Sequence, residues 1–365
     1  MTLPLENIKV LDLSRVLAGP LAGMILGDYG ANVIKVERPG TGDDSRGWGP
    51  PFDDRGESAY YLCTNRNKLS VAADLGAPAD QALLRALIAD ADVVLENFLP
   101  GTLERRGLDP EAFLREHPSL LWCTITGFGP ESRRPGYDFV VQAESGWMSV
   151  TGEADGSPMK VGMALADVLT GKDAALQILA ALAGGRRGTR RLYVSLQQSA
   201  TAALINVAQN FLVAGAAPKR WGNAHPNLVP YQLFAAADRP IVIAVGNDAQ
   251  WNACARALGL GAFAADARLV TNAGRLTHRE ELVAALTAVL ATNTAAHWVA
   301  ILEPAGVPCG VVKPVPEALA AVDASALTGI APLAPATVRR PPPRLDEHGA
   351  RIRTLGWEAF RDDPA

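Results

Sequence analysis

Short apolar, β-branched runs recur through the first half of the chain, and most of the gaps between them can hold at least one helix. Residues 8–13 (IKVLDL), 32–37 (NVIKVE), 93–96 (VVLE), 120–125 (LLWCTI) and 191–196 (RLYVSL) read as strands. Gly19-Pro20 opens a helix after the first run, since proline suits an early helical position, and Gly30 closes it with a left-handed cap. Further helices are expected at 80–89 and 139–148. Another begins near Asp167, with Leu169, Leu176, Leu179 and Leu182 on one face and Gly184-Gly185 as its stop. Strands separated by helices demand right-handed crossovers and a mainly parallel sheet. The fold class is therefore α/β, with a Rossmann-like large domain.

A chain of 365 residues exceeds what one ordinary core supports, so a second domain is expected. The large domain is assigned to 1–214, its last helix being alanine-rich. Residues 215–230 carry Pro218, Pro226 and Pro230 without a clear period and read as a linker. A smaller α/β domain then spans 231–320. It has a strand at 241–245, a helix N-capped by Asp248, helices at 279–291 and 295–305, and a strand at 310–312. Residues 321–365 form a strap whose proline-rich part, 331–344, is extended.

Charge and special residues exclude several classes. A formal net charge of -4 argues against a general nucleic-acid binder. Cys63, Cys123, Cys254 and Cys309 form no CxxC pair and read as small buried hydrophobes. The five histidines are scattered, so no metal site is expected. The N-terminus has no charged leader followed by an apolar run, and residues 174–183 are too short to cross a bilayer and include Gln177. The reading predicts a cytoplasmic protein without signal peptide or membrane partner.

Four groups of residues could carry chemistry. Asp167 sits among small and apolar residues (VGMALADVL) at a helix start, where the dipole and unpaired amides favour an anion. An ordinary capping aspartate wants the same place. Glu96-Asn97-Phe98-Leu99-Pro100-Gly101, followed by Arg105, stands at the carboxyl edge of the sheet, where open α/β folds bind ligands. Asn97 offers hydrogen bonds, Phe98 a stacking face and Arg105 a phosphate clamp; Pro-Gly is equally a plain turn. Arg38 follows the second strand and could stack on adenine or pair with a phosphate. The first strand leads into SRVLAGP instead of GxGxxG, which weakens a nicotinamide reading. Gly136-Tyr137-Asp138 could orient a ligand or simply close a turn.

Taken together, VLDLSRVLAGPLAGMILGDYGANVIKVERP, NRNKLSVAADL, VLENFLPGTLERRGL, GYDFVVQAESG and ALADVLTGKDAALQILAAL resemble the class III CoA-transferases. This is the CaiB/BaiF type, the formyl-CoA and carnitine-CoA transferase family. GNAHPNLVPYQLF, VGNDAQW and AGVPCG extend the resemblance into the smaller domain. It implies that Asp167 is a nucleophile that attacks an acyl-CoA thioester, with Tyr137 and Asp138 beside the reacting acyl group. It further implies that Leu17, Ala18, Arg38, Leu75, Gly76, Asn97, Phe98, Leu99 and Arg105 contact coenzyme A. Coenzyme A and its thioesters would be substrates, with a small carboxylic acid as second substrate and no tightly bound cofactor. Two subunits threaded as interlocked rings are implied, with the C-terminal strap returning to the large domain. The family's basic residue at the position of Gly76 is missing here, and Lys68, Arg66 or Arg134 are the candidate replacements.

The implied reaction moves CoA between acids through an aspartyl anhydride and an aspartyl-CoA thioester. The segment AHPNLVPYQ, residues 224–232, resembles that of dicarboxylate transferases and points to a succinyl-type donor. A 2-methylacyl-CoA racemase is the alternative within the same fold, although Tyr137 stands where racemases use histidine. A non-catalytic CoA-binding protein is the alternative of another class.

Overall fold

The computed structural model describes residues 2–185 and 190–361. The chain divides into two units. The first comprises Met1–Met148, Lys160–Ala216 and Val322–Ala365; the second comprises Ser149–Met159 and Ala217–Ala321.

A six-stranded sheet organises the first unit. Its strands are β1 (Lys9–Asp12), β2 (Asn32–Glu37), β3 (Lys68–Ala72), β4 (Val93–Glu96), β5 (Leu121–Thr126) and β6 (Arg191–Ser195). They lie in the order β3-β2-β1-β4-β5-β6, and every pairing is parallel. This is the doubly wound order, in which the connections reverse direction between β1 and β4 and leave a crevice at the carboxyl ends of those two strands. Alternation along each strand feeds two cores. Leu11, Ile34, Leu69 and Val94 face one side, together with Leu84, Leu87 and Ile88 of the helix at Pro78–Ala89. Val10, Val33, Val93, Leu95 and Leu121 face the other side. There they pack with helices α1 (Ala18–Asp28) and α3 (Leu165–Ala183).

β3 does not read as a strand in the sequence, because it opens on Lys68. The side chain is fully buried, and its Nζ donates to Asp12 Oδ2 at 2.9 Å, the Pro20 carbonyl at 2.8 Å and Asn65 at 2.9 Å. The expected helix at 139–148 is two pieces. Helix α2 (Asp138–Glu144) ends before Gly146, whose φ of 91° breaks the path, and a short turn follows at Trp147–Val150. The alanine-rich helix is likewise split into Leu196–Ala202 and Ile205–Ala214.

The C-terminal residues pack on the first core through Ile352, Trp357 and Phe360. Trp357 Nε1 donates to the Leu87 carbonyl at 3.1 Å. Before that contact the chain runs extended. Asn67 Oδ1 accepts from the Arg339 and Arg340 amides, and Asp346 accepts from the Ala72 amide at 2.7 Å. A helix at Gly349–Leu355 follows the extended run.

In the second unit an antiparallel sheet of β7 (Tyr231–Ala235), β8 (Pro240–Ala244) and β9 (Cys309–Val311) packs against helices. Asp248 is not the N-cap expected there. Asn247 accepts from the Gln250 amide at 2.9 Å, while Asp248 pairs with the buried Arg275 at 2.8 Å. Among the cysteines, Cys123 and Cys254 are buried, Cys309 is partly buried and Cys63 is exposed, so the buried reading fails for Cys63. Among the described residues no single helix is long and apolar enough to cross a membrane.

Candidate active site

At the β1–β4 crevice the first unit opens a cavity of about 280 Å³ lined by Leu17, Ala18, Asn97, Phe98, Leu99, Tyr137 and Asp167, among others. Four segments shape it, and each is held by a specific contact.

The first segment follows β1. Val16 has φ of 74°, a left-handed conformation that is strained for a β-branched residue. Asp43 holds it there, its carboxylate accepting from the Val16 amide at 3.1 and 3.2 Å. Asp43 is fixed in turn by the fully buried Lys35, whose Nζ lies 2.9 Å from Asp43 and also donates to the Ser14 carbonyl at 3.0 Å. Burial alone would raise the Asp43 carboxyl, yet Lys35 and the Ser45 hydrogen bonds hold it well below its ordinary value. Immediately afterwards α1 starts without a side-chain cap. The amides of Leu17 and Ala18 consequently find no acceptor among the described residues.

The second segment follows β4. The Asn97 side chain is a clamp on the first segment: Oδ1 accepts from the Arg15 amide at 3.0 Å and Nδ2 donates to the Arg15 carbonyl at 2.8 Å. Phe98 is anchored by its amide on Glu96 at 2.8 Å, and the Arg15 guanidinium lies over its ring at 5.2 Å.

The third segment follows β5, and it depends on two glycines. A Cβ on Gly127 would stand 2.4 Å from the Gly136 Cα, and a Cβ on Gly136 would stand 2.1 Å from the Gly127 Cα. Only bare backbones can cross so closely. The crossing sets Tyr137 at the cavity with 59% of its surface exposed.

Asp167 lies on the fourth segment, in the first turn of α3. Gly171, one turn further on, lets α3 approach α1: a Cβ there would meet the Ala18 carbonyl at 2.6 Å. Asp167 is not the helix cap. That work falls to Asp138, whose Oδ1 accepts from the Ala166 amide at 2.8 Å and the Asp167 amide at 3.3 Å. Its Oδ2 accepts from Gln142 at 2.6 Å. Among the described residues the Asp167 carboxylate itself accepts no hydrogen bond. Burial, and then the charge of Asp138, push its carboxyl up from 3.8 to about 7. Tyr60, unremarked in the sequence, is tied to the same group. Burial and the charges of Asp167, Cys63 and Asp138 raise its hydroxyl to about 12. Only its place in the fold reveals it, since YY within an apolar stretch carries no pattern.

A second cavity of about 440 Å³ adjoins the first through Arg15 and Phe98, and Arg38 and Leu75 line it. Arg38 pairs with Asp44. Gly76 lies beside this cavity, near Arg106. Arg105 lines neither of the two cavities: its guanidinium donates to Thr102 at 3.2 Å and lies over Gly101. Of the candidate replacements for a basic residue at position 76, Lys68 is enclosed by Asp12, Pro20 and Asn65. Arg66 is spent on Asp28 and on the Thr328 and Ile330 carbonyls. Arg134 lines the first cavity and pairs with Glu144 at 2.5 Å. Among the described residues no three His, Cys, Asp or Glu side chains gather as a metal site.

This arrangement can present a partly buried carboxylate that accepts no hydrogen bond among the described residues to an electrophilic carbon, with free amides of an uncapped helix start on the same cavity wall. Residues 5–355 match the family model described as CoA-transferase family III. The chain is 40% identical to a succinate–glutarate CoA-transferase of Agrobacterium fabrum, over 96% of this chain and 94% of that one. It is 43% identical to a mouse succinyl-CoA:glutarate CoA-transferase, over 85% and 72% respectively. The crystal structure of a CAIB/BAIF family protein from Brucella suis superposes with a TM-score of 0.84 at 39% identity, covering 97% of this chain and 99% of that one.

Proposed function

The chain belongs to CoA-transferase family III, and on that premise we propose that it passes coenzyme A from a succinyl-type thioester to a small dicarboxylic acid through Asp167. One observation carries the assignment of the nucleophile. Asp138 caps α3, so the Asp167 carboxylate is left without a hydrogen bond at the wall of the cavity. A carboxylate stripped of donors keeps its electron pairs available, and the cost of ionising it is met by the fold.

The steps conserve the thioester bond energy. The Asp167 carboxylate attacks the donor thioester carbon and expels CoA thiolate, which forms an acyl-aspartyl anhydride. The thiolate attacks the aspartyl carbonyl and releases the donor acid, giving an aspartyl-CoA thioester. The acceptor carboxylate then attacks that thioester and expels the thiolate again. Finally the thiolate attacks the acceptor acyl carbon, forming the new acyl-CoA and restoring the Asp167 carboxylate. Each tetrahedral intermediate carries an oxyanion, and the unpaired Leu17 and Ala18 amides are the donors suited to it. Asn97 keeps those donors in place through the Arg15 backbone. Tyr137, at the entrance, is positioned to flank the acyl group.

Support for a dicarboxylate pair comes from the names of the relatives, which act on succinate or succinyl-CoA and glutarate. Incubation with succinyl-, acetyl- and oxalyl-CoA against a panel of mono- and dicarboxylic acids, read by mass spectrometry, tests it. Turnover restricted to monocarboxylates would overturn the dicarboxylate assignment. The working unit is taken to be an interlocked pair of subunits. In its favour, the helix Ile205–Ala214 buries none of its residues, though it carries Ile205, Phe211, Leu212 and Val213. Light scattering at the mass of one chain would contradict this.

A further inference from the structure

Three arginines, Arg15, Arg38 and Arg106, are among the residues that line the second cavity. Two of them are already engaged by one carboxylate. Asp44 pairs directly with Arg38 and lies 3.6 Å from Arg15. Arg106 differs. Among the described residues its guanidinium has no carboxylate or carbonyl partner. Asp74, the acid nearest to its seat, spends an oxygen on the Gly76 amide at 2.8 Å.

Gly76 creates that seat. A Cβ at this position would stand 2.5 Å from Arg106 Nη1, so the guanidinium occupies the space a side chain would fill. The neighbouring Arg105 is not among the residues that line the cavity, and its guanidinium donates to Thr102 and lies over Gly101. Leu75, Phe98, Ala73 and Pro39 supply apolar surface beside the cations. A flat aromatic base with attached phosphates matches such a combination, and an uncommitted guanidinium binds phosphate oxygens in bidentate fashion.

We propose that Arg106, seated in the space left by Gly76, is a phosphate contact for the nucleotide end of the CoA substrate. The proposal rests on the transferase reading given above. It adds a binding residue that replaces, from a different segment, a basic side chain at position 76.

Isothermal titration of the full-length protein with coenzyme A and with pantetheine, which lacks the nucleotide, provides the test. Arg106→Ala is expected to reduce the preference for coenzyme A over pantetheine at least tenfold, about 1.4 kcal/mol. Arg106→Lys should recover part of it. Gly76→Ala leaves the charge in place but displaces a flexible side-chain end, so it should give an intermediate loss with little change in Tm. A purely structural role would weaken both ligands alike. An unchanged preference in Arg106→Ala, where the unsubstituted protein discriminates, overturns the proposal and leaves the transferase reading intact. Equal binding of coenzyme A and pantetheine by the unsubstituted protein also overturns it, and the transferase reading is then judged by turnover of succinyl-CoA in the same preparation.

Discussion

Replacing Asp167 by Asn separates the cost of the site from its activity. In the folded protein the Asp167 carboxyl is moved from 3.8 to about 7, by burial first and by Asp138 second. The sign follows from linkage. Between these values the folded state holds a proton that the unfolded state has lost, so stability is present below pH 3.8 and lost as pH rises through 7. The full penalty is about 4 kcal/mol above pH 8, and about 1.5 kcal/mol of it is already present at pH 5. Asparagine has the same shape and no charge to ionise. Asp167→Asn should therefore be more stable than the unsubstituted protein, by roughly 2–3 kcal/mol more at pH 8 than at pH 5. Urea unfolding at the two pH values measures this directly, with the slope of each transition checked for equality. The same substitution should lower kcat by a factor on the order of 10⁴ or more. A stability difference that does not grow with pH would refute the claim that burial and Asp138 raise the Asp167 carboxyl.

Other substitutions test the neighbours of Asp167. Asp138→Asn removes the charge that helps to raise Asp167, so the rising limb of kcat/KM against pH should move to lower pH. Asparagine keeps an oxygen that can accept from the Ala166 amide, so the cap on α3 should survive, while the bond accepted from Gln142 is lost, costing about 1 kcal/mol in unfolding experiments. Gly171→Ala forces a Cβ against the Ala18 carbonyl, which is backbone and cannot swing aside. A loss of about 1–3 kcal/mol in stability together with reduced kcat is expected; a fully active, equally stable variant would show that the α1–α3 approach does not set the site.

Much of this was legible in the sequence where local pattern and tertiary role agree. The strands at 93–96 and 120–125 declare themselves because both faces of a parallel sheet are buried, which leaves near-continuous apolar runs. The start of α3 and the acid within it were equally visible. What the sequence concealed depends on contacts between distant segments. Lys68 disguises an inner-facing strand as surface, because its charge is neutralised by Asp12, fifty-six positions earlier. Whether Asp167 caps its helix could not be decided until Asp138 was seen to do so. Arg105 and Arg106 are adjacent and chemically identical, and only the empty space at Gly76 distinguishes them. The helix at Gly349–Leu355 hides behind the proline-rich stretch before it.

Oxygen labelling follows the covalent step itself. When the acceptor acid carries ¹⁸O in its carboxylate, the last step leaves one labelled oxygen on Asp167, and the donor acid departs with an oxygen that Asp167 supplied. Digestion after turnover, followed by mass spectrometry, should find the label in the peptide containing Asp167 and in no other. Rapid formation of the new acyl-CoA with no ¹⁸O in that peptide would contradict the aspartyl intermediate.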